Sequence, residues 1–289
     1  MPLEKEFSEF YAASDQVSLD GQRRYVNGTR IQLAALVIAA LAGGLTVRFV
    51  EGGADWAGIV AAAAFACAGL LRGYLWRARP DKDWYAGRAA AESAKTVGWR
   101  FAVCADPFPA IMPDEEATRI FLSRLAAVRA KVASIVVVPA PRGRGEVTAA
   151  MLELRHSDLR RRQDVYLDER IEGQRQWYSR KAVFNKRRVR VWATVMLLLE
   201  AAGLVGAILK AAGVLDVDTL GVTGAFIAAI AAWSEMRQYS TLANAYSVTA
   251  NELADVLELG RLVRAEDQWS QYVVDAEEEI GRASCRERV

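Results

Sequence analysis

Glu200 is the residue whose type and position most directly suggest chemistry. It lies in the apolar stretch 191–209, about 13 Å along a helix that rises 1.5 Å per residue. A carboxylate at that depth in a bilayer costs about 3 kcal/mol unless it is hydrated, paired or neutralised. Glu200 could therefore line an ion path or form a gate, or it could be the structural partner of a cation such as Arg72 on another span. The sequence leaves both possibilities open.

A second set of candidate residues lies in two segments that have helical periodicity but carry too many charges to span a membrane. These aromatic and charged side chains could form a cytoplasmic surface that docks a partner or oligomerises. They could equally pack the helices onto their neighbours, with one acid–base pair at i,i+3 spacing worth a few tenths of a kcal/mol. The residues are Trp84, Tyr85, Glu92, Lys95, Trp99, Arg100, Tyr246 and Glu252.

Enzyme chemistry of a standard kind finds no support in the sequence. Cys67, Cys104 and Cys285 lack the spacing of a disulfide or metal site, and His156 is the only histidine. A zinc site or a histidine-based acid–base centre is therefore hard to build. No serine nucleophile elbow, zinc-protease motif, P-loop or dinucleotide-binding glycine pattern occurs. We predict a protein that is not an enzyme and has no catalytic residue, cofactor or metal.

Four apolar runs must position these candidates. The longer runs have 17, 16 and 19 residues, close to the length that a helix needs to cross a hydrocarbon core of about 30 Å. Buried helices of soluble proteins rarely stay apolar all round over that length. The fourth run is short and rich in alanine, and it reaches membrane length only if its flanks are counted. The runs are residues 31–47, 56–71, 191–209 and 220–233. They predict two transmembrane hairpins.

Composition requires a large polar part beside these spans. Hydrophobic residues make up 53% of the 289 residues and charged residues 25%, and the mean hydropathy is only +0.06. We therefore predict an all-α integral membrane protein, with four transmembrane helices as two hairpins and long helical extensions in the cytoplasm. The extensions include helices over 83–103, 114–132 and 239–262. One strand is predicted at 134–139, before a linker rich in proline and glycine.

The distribution of charge predicts the orientation. The net charge is only +2, but lysine and arginine crowd beside the apolar runs. The turn at 48–55 has one arginine against two acidic residues, and the turn at 210–219 contains Asp216 and Asp218. The positive-inside rule then places both termini in the cytoplasm. Because membrane topology explains the basic clusters, no nucleic-acid partner is predicted. Residues 1–17 do not have the pattern of a cleavable signal peptide.

The order of elements occurs twice along the chain. Gly21-Gln22-Arg23 before the first hairpin is echoed by Gly173-Gln174-Arg175 before the second, and an aromatic residue follows each echo, Tyr25 or Trp177. This indicates duplication of a two-span module. We predict a first module at 1–112, a cytoplasmic connector at 113–158, a second module at 159–262 and a tail at 263–289. The last nine residues match no other part of the chain and are left out of the fold prediction.

A resemblance to a known family is found in four segments. In the first copy they are Trp84–Arg100 and the closing Asp106-Pro107-Phe108, and in the second copy they are 239–257 and the basic run before Val191. The chain resembles the SLATT family, two-span effector domains associated with bacterial nucleotide-based conflict systems, over residues 5–108 and 160–262. The resemblance implies an effector in the bacterial inner membrane that stops an infected cell by membrane perturbation or pore formation, acting as a homo-oligomer. Since no nucleotide synthase or sensor is recognisable in the chain, the trigger would come from a separate nucleotide-sensing or nucleotide-synthesising protein.

Two other functions remain open at this level. One is a non-conducting scaffold in the lipid bilayer that recruits partners through its cytoplasmic helices. The other is a small ion channel or transporter built from the duplicated hairpin. Two copies of an even number of spans have the same orientation, unlike the inverted repeats of many transporters. This ranks the transporter behind the scaffold.

Overall fold

The computed structural model describes residues 3–45, 53–133, 135, 137, 145–215 and 217–286. About 85% of the chain is helical, and no β-strand occurs in the described residues. The predicted all-α class is therefore confirmed. The strand predicted at 134–139 lies outside the described residues apart from Ile135 and Val137, neither of which is in a strand. Most of the predicted linker, and Asp216, also lie outside them.

Ten α-helices form the described part of the chain. They are α1 (Glu9–Gly43), α2 (Trp56–Ala78), α3 (Pro80–Ala102), α4 (Asp114–Lys131), α5 (Ala149–Arg155), α6 (Leu159–Val165), α7 (Gly173–Ala211), α8 (Thr219–Arg237), α9 (Tyr239–Leu262) and α10 (Glu266–Arg286). A 3₁₀ turn precedes α1 at Leu3–Glu6, and a π-helical segment, Tyr166–Glu172, joins α6 to α7. The helices belong to two compact units, which are described separately. We call residues 1–22, 81–182 and 243–289 the polar unit, and residues 23–80 and 183–242 the apolar unit.

The apolar unit contains the four predicted spans. Four helical stretches have the length and composition to cross a membrane, and at most 11% of the residues in their apolar windows are buried within the protein. Phe65, Leu70 and Leu197 are between 64% and 77% exposed. Apolar sides exposed to this extent on four long helices are unstable in water and require lipid. The chain is a multi-pass membrane protein.

Local sequence explains where the second span of each hairpin begins and ends. The Asp55 and Asp218 side chains accept hydrogen bonds from the amides of Ala57 and Gly221, which caps α2 and α8. A left-handed residue ends each of these helices, and the next helix begins directly after it. The fourth span, which was predicted to be short, is part of a helix of 19 residues. That length is about 28 Å, close to the thickness of the hydrocarbon core.

The second hairpin is closed by glycine–threonine contacts between α7 and α8. A Cβ atom added at Gly203 would lie 2.5 Å from Thr223 Oγ1, and one added at Gly206 would lie 2.6 Å from Thr219 Cβ. Thr223 Oγ1 also donates a 2.8 Å hydrogen bond to the Thr219 carbonyl. Small residues allow this close backbone approach, which is how helices associate in lipid.

The polar unit has a core of aromatic side chains. Trp99 on α3 is fully buried, with its ring 5.2 Å from that of Phe7 and 5.5 Å from that of Tyr166. The Tyr166 ring lies 5.6 Å from that of Trp269, whose indole N–H donates a 2.9 Å hydrogen bond to the Val103 carbonyl. These edge-to-face contacts connect α3, the π-helical segment and α10.

Helix α10 lies in the tail, to which the sequence analysis assigned no fold. Trp269, Val273, Ala276 and Ile280 recur at helical spacing and are at most 2% exposed. Because these side chains fill the core of the polar unit, the tail up to Arg286 is part of the fold. The last three residues lie outside the described part of the chain.

Glu172, at the end of the π-helical segment, forms a pH-sensitive ion pair. Its carboxylate accepts hydrogen bonds of 2.6 and 2.7 Å from the Arg175 guanidinium and one of 2.8 Å from the Gln176 amide. These bonds, first of all the one from Arg175, lower the pKa of Glu172 from 4.5 to about 2. Because the pKa is lower in the folded chain, the pair stabilises the fold above pH 4.5, and this stabilisation is lost as the pH falls towards 2.

We therefore expect Glu172→Gln to reduce the loss of stability between pH 4.5 and pH 2. The variant should lose the same contribution at pH 7, and its size is modest because ion pairs near the surface are screened by water. The unfolding midpoints of the wild type and the variant, measured from neutral pH down through this window, check the expectation. Parallel acid profiles for the two proteins would contradict it.

Candidate functional site

Glu200 lies on the outward face of α7. Its side chain is exposed, and it makes no hydrogen bond or ion pair with another residue that the structure describes. Leu197 and Leu204, three residues before it and four after it, share its helix face and are 64% and 62% exposed. A carboxylate is therefore set in a stripe of leucines on the outside of the apolar unit. We call Leu197, Glu200 and Leu204 the Glu200 stripe.

The structure does not pair Glu200 with Arg72. Arg72 is exposed on α2 and forms no ion pair within the described residues. The structural alternative for Glu200, an internal partner for Arg72, therefore has no support in this conformation. The sequence could predict the depth of Glu200 but not its direction, because the direction depends on which face of α7 packs on α8.

Most residues of the predicted cytoplasmic surface are used for packing. Trp99 is fully buried, Lys95 is 6% exposed and Tyr246 is 8% exposed. The Tyr246 ring lies 5.5 Å from each of the Trp177 and Tyr178 rings. For Trp99, Lys95 and Tyr246 the structure therefore favours packing over a docking surface.

The remaining residues of that set are more accessible. Tyr85 is 39% exposed, and its ring stacks on that of Trp84 at 4.9 Å with an interplanar angle of 13°. Arg100 is half-buried and donates a 2.6 Å hydrogen bond to the Asp106 carbonyl. Glu252 is half-buried on α9. Trp84 and Tyr85 are the part of the predicted set that still offers an aromatic surface.

Glu92 and Lys95 form the predicted i,i+3 pair, with 3.2 Å between Lys95 Nζ and Glu92 Oε1. Arg170 Nη1 lies 4.0 Å from the other carboxylate oxygen of Glu92. Burial alone would raise the pKa of Glu92, but the charges of Lys95, Arg170 and Arg88 lower it below its ordinary value. The carboxylate is therefore ionised at neutral pH and stabilises cations inside the polar unit.

Sequence reasoning missed the main polar contact of this unit, between Arg170 and Glu277. Arg170 is fully buried and Glu277 is 2% exposed. Two parallel hydrogen bonds join them, 2.9 Å from Arg170 Nε and 2.8 Å from Nη2. The Tyr166 hydroxyl, at 3.0 Å, and the Thr96 hydroxyl, at 2.7 Å, donate to the same carboxylate. The two charged residues are 107 positions apart, so no local pattern indicates the pair.

Arg155 is a second buried cation that the sequence did not single out. Its guanidinium donates to backbone carbonyls at the end of α3 and in the segment between α3 and α4. The acceptors are Phe101, Phe108, Pro109 and Met112, at 3.3, 2.9, 3.1 and 3.2 Å. These hydrogen bonds hold the segment between α3 and α4 in place and satisfy the buried guanidinium. Within the described residues, no group of three or more His, Cys, Asp or Glu side chains could hold a metal ion.

Comparison with protein families gives two matches in tandem. Residues 8–163, more than half of the chain, match the SMODS and SLOG-associating 2TM effector domain 3. Residues 166–284 match the SMODS and SLOG-associating 2TM effector domain 1. Searches of curated proteins and of solved structures find no match. Each matched segment contains one apolar hairpin and helices of the polar unit. The chain therefore belongs to the SLATT family of two-span effector domains and carries two of these domains in tandem.

Proposed function

We propose that this membrane effector acts by self-association of its hairpins into a conducting or disruptive assembly in the bacterial inner membrane. Both termini are in the cytoplasm in this proposal. An upstream nucleotide-sensing or nucleotide-synthesising protein of a conflict system gives the signal, and the assembly stops an infected cell. The chain contributes no catalytic step of its own. The family association with SMODS and SLOG systems supports the effector role.

The Glu200 stripe is the observation that carries the mechanism. A single carboxylate exposed among leucines in lipid costs about 3 kcal/mol. Copies of the protein that meet along this stripe would bring several carboxylates around a shared, hydrated path, which removes the cost. Leu197 and Leu204 would supply the helix–helix packing on either side. The free-energy cost of exposing the Glu200 carboxylate to lipid in a single copy thus favours association of several copies.

Membrane potential in bacteria that express the protein together with its trigger tests this proposal. The variants are Glu200→Gln, which keeps the shape of the side chain, and Glu235→Gln, which removes an exposed carboxylate at the end of α8 and serves as the control. We expect depolarisation by the wild type and by the Glu235 variant. Glu200→Gln should abolish it at equal amounts of inserted protein, because the hydrated path loses its carboxylates.

Dye release from liposomes separates the remaining outcomes. A bilayer that stays tight at every protein density and with the trigger present would contradict the pore and favour a scaffold that recruits partners. Leakage that is equal for wild type and Glu200→Gln would retain the pore but place Glu200 outside the conducting path.

A further inference from the structure

The apolar unit contains a cavity of about 530 Å³ lined by α1, α7, α8 and the first residue of α9. Most of its wall is apolar or aromatic, including Leu33, Val37, Phe226 and Ile230. Three arginines complete the wall: Arg30, Arg188 and Arg237. A cavity with these two kinds of lining can accept a molecule that is anionic at one end and apolar at the other.

Each of the three arginines in the cavity wall contacts an aromatic ring. The Arg30 guanidinium lies 5.4 Å above the Trp233 ring, and that of Arg237 lies 6.0 Å from the same ring. Arg188 lies 5.1 Å from the Phe184 ring. Cations from α1 and α8 therefore share one indole, although like charges repel each other.

Within the described residues, no carboxylate compensates these charges. Arg30, Arg188 and Arg237 form no ion pair or hydrogen bond with any residue in the described part of the chain. The Nε atom of Arg237 and the indole nitrogen of Trp192, which also lines the cavity, are buried without a hydrogen-bond partner. Buried donors of this kind cost free energy until an acceptor binds. An anion with several acceptor oxygens could accept hydrogen bonds from both of these donors.

The positions of the arginines along the chain also predict that they lie at the level of the lipid phosphates. Arg30 immediately precedes the first apolar run, Arg188 precedes the third, and Arg237 follows the fourth. Tryptophan and arginine at the ends of spans are typical of the headgroup region. The planar guanidinium binds phosphate through two parallel hydrogen bonds.

We propose that this cavity binds an anionic glycerophospholipid. Arg30, Arg188 and Arg237 hold its phosphate, and the part of an acyl chain nearest the glycerol packs against the apolar wall. The lipid connects α1 of the first hairpin to α7 and α8 of the second. This site is independent of the pore proposed above, since it requires no second copy of the protein and no trigger.

Lipid retention by the purified full-length protein tests the site. Native mass spectrometry in detergent would follow binding from an equimolar mixture of phosphatidylglycerol and phosphatidylcholine with identical acyl chains. We expect preferential retention of phosphatidylglycerol by the wild type. The double variant Arg30→Gln/Arg188→Gln should weaken it by about tenfold or more, since each arginine near a phosphate contributes about 1 kcal/mol. Arg187→Gln with Arg72→Gln is the control, because it removes two exposed arginines of the same unit that do not line the cavity.

Each outcome of this experiment decides the proposal. Equal retention of both lipids by the wild type overturns it without any variant, so a folding defect cannot obscure the result. Equal losses in the cavity variant and the control overturn it by showing general surface attraction. Displacement of phosphatidylglycerol by inorganic phosphate or ATP at similar concentration also overturns it, because the cavity would then bind a free anion. Preferential retention that only the cavity variant loses supports it.

Discussion

Replacing Arg170 with methionine is expected to destabilise the polar unit by about 3–5 kcal/mol, the usual cost of removing one partner of a buried ion pair. The substitution leaves the Glu277 carboxylate, which is 2% exposed, with the Tyr166 and Thr96 hydroxyls as its remaining donors among the described residues. Both hydrogen bonds from the guanidinium disappear at once. Such a loss is a large part of the total stability of a typical domain.

Thermal unfolding of the full chain in detergent, with hydrogen exchange of α10 as a local measure, checks this prediction. The control is Arg261→Met, since Arg261 forms an exposed i,i+3 pair with Glu258, and exposed pairs contribute little. Adding Glu277→Leu to Arg170→Met should recover part of the loss, because no unpaired charge is then buried. An Arg170 variant that unfolds with the wild type would show that water reaches this pair in solution.

The spans could be predicted from sequence because the information that specifies them is local. Apolar residues in a run long enough to cross the bilayer have few other structures available. The structure adds caps that the hydropathy alone does not specify: Asp218 begins α8 before its apolar run, and Gln238 ends it after the run. The buried pair of Arg170 and Glu277 could not be predicted, because its two residues come together only through the tertiary fold.

Helix α10 is an intermediate case. Trp269, Val273, Ala276 and Ile280 show helical periodicity in the sequence, so a signal was present. The sequence prediction assigns residues 263–289 only to a tail, because the repeat of the two-span module ends before them. Burial of these four side chains shows that a segment outside the repeat can carry part of the core. The opposite error occurs in the predicted docking surface. Trp99 and Tyr246 have the same helical periodicity and are predicted to lie on a surface, but they are buried.

The structure also supports an internal duplication. Arg79 and Gln238, at the ends of the second span of each hairpin, have φ angles of 46° and 48°. In both copies a new helix begins at the next residue, and the two family matches meet between residues 163 and 166. The first match includes the segment 113–158, which the sequence predicts to be a connector. The module boundaries themselves stay a prediction.

Replacing Gly206 with leucine is expected to separate α7 from α8 and to destabilise the second hairpin by about 1–3 kcal/mol or more. Even a Cβ atom would lie 2.6 Å from Thr219 Cβ, so one helix has to move away. Lipid offers no hydrophobic driving force that would hold the helices together at a larger distance. Gly206→Ala should show a smaller effect of the same sign.

Gly224→Leu is the matched control, since it lies on α8 of the same hairpin and an added Cβ would meet no atom within 4 Å. The midpoint of thermal unfolding in detergent, measured for the three variants, tests the packing. The result also bears on the proposed pore: the α7–α8 contact leaves Glu200 on the outer face of α7, where a second copy could meet it. If Gly206→Leu has the same unfolding midpoint as the wild type and depolarises the membrane to the same extent, α7 is not held against α8 in the membrane. Self-association along the Glu200 stripe would then lose its structural basis.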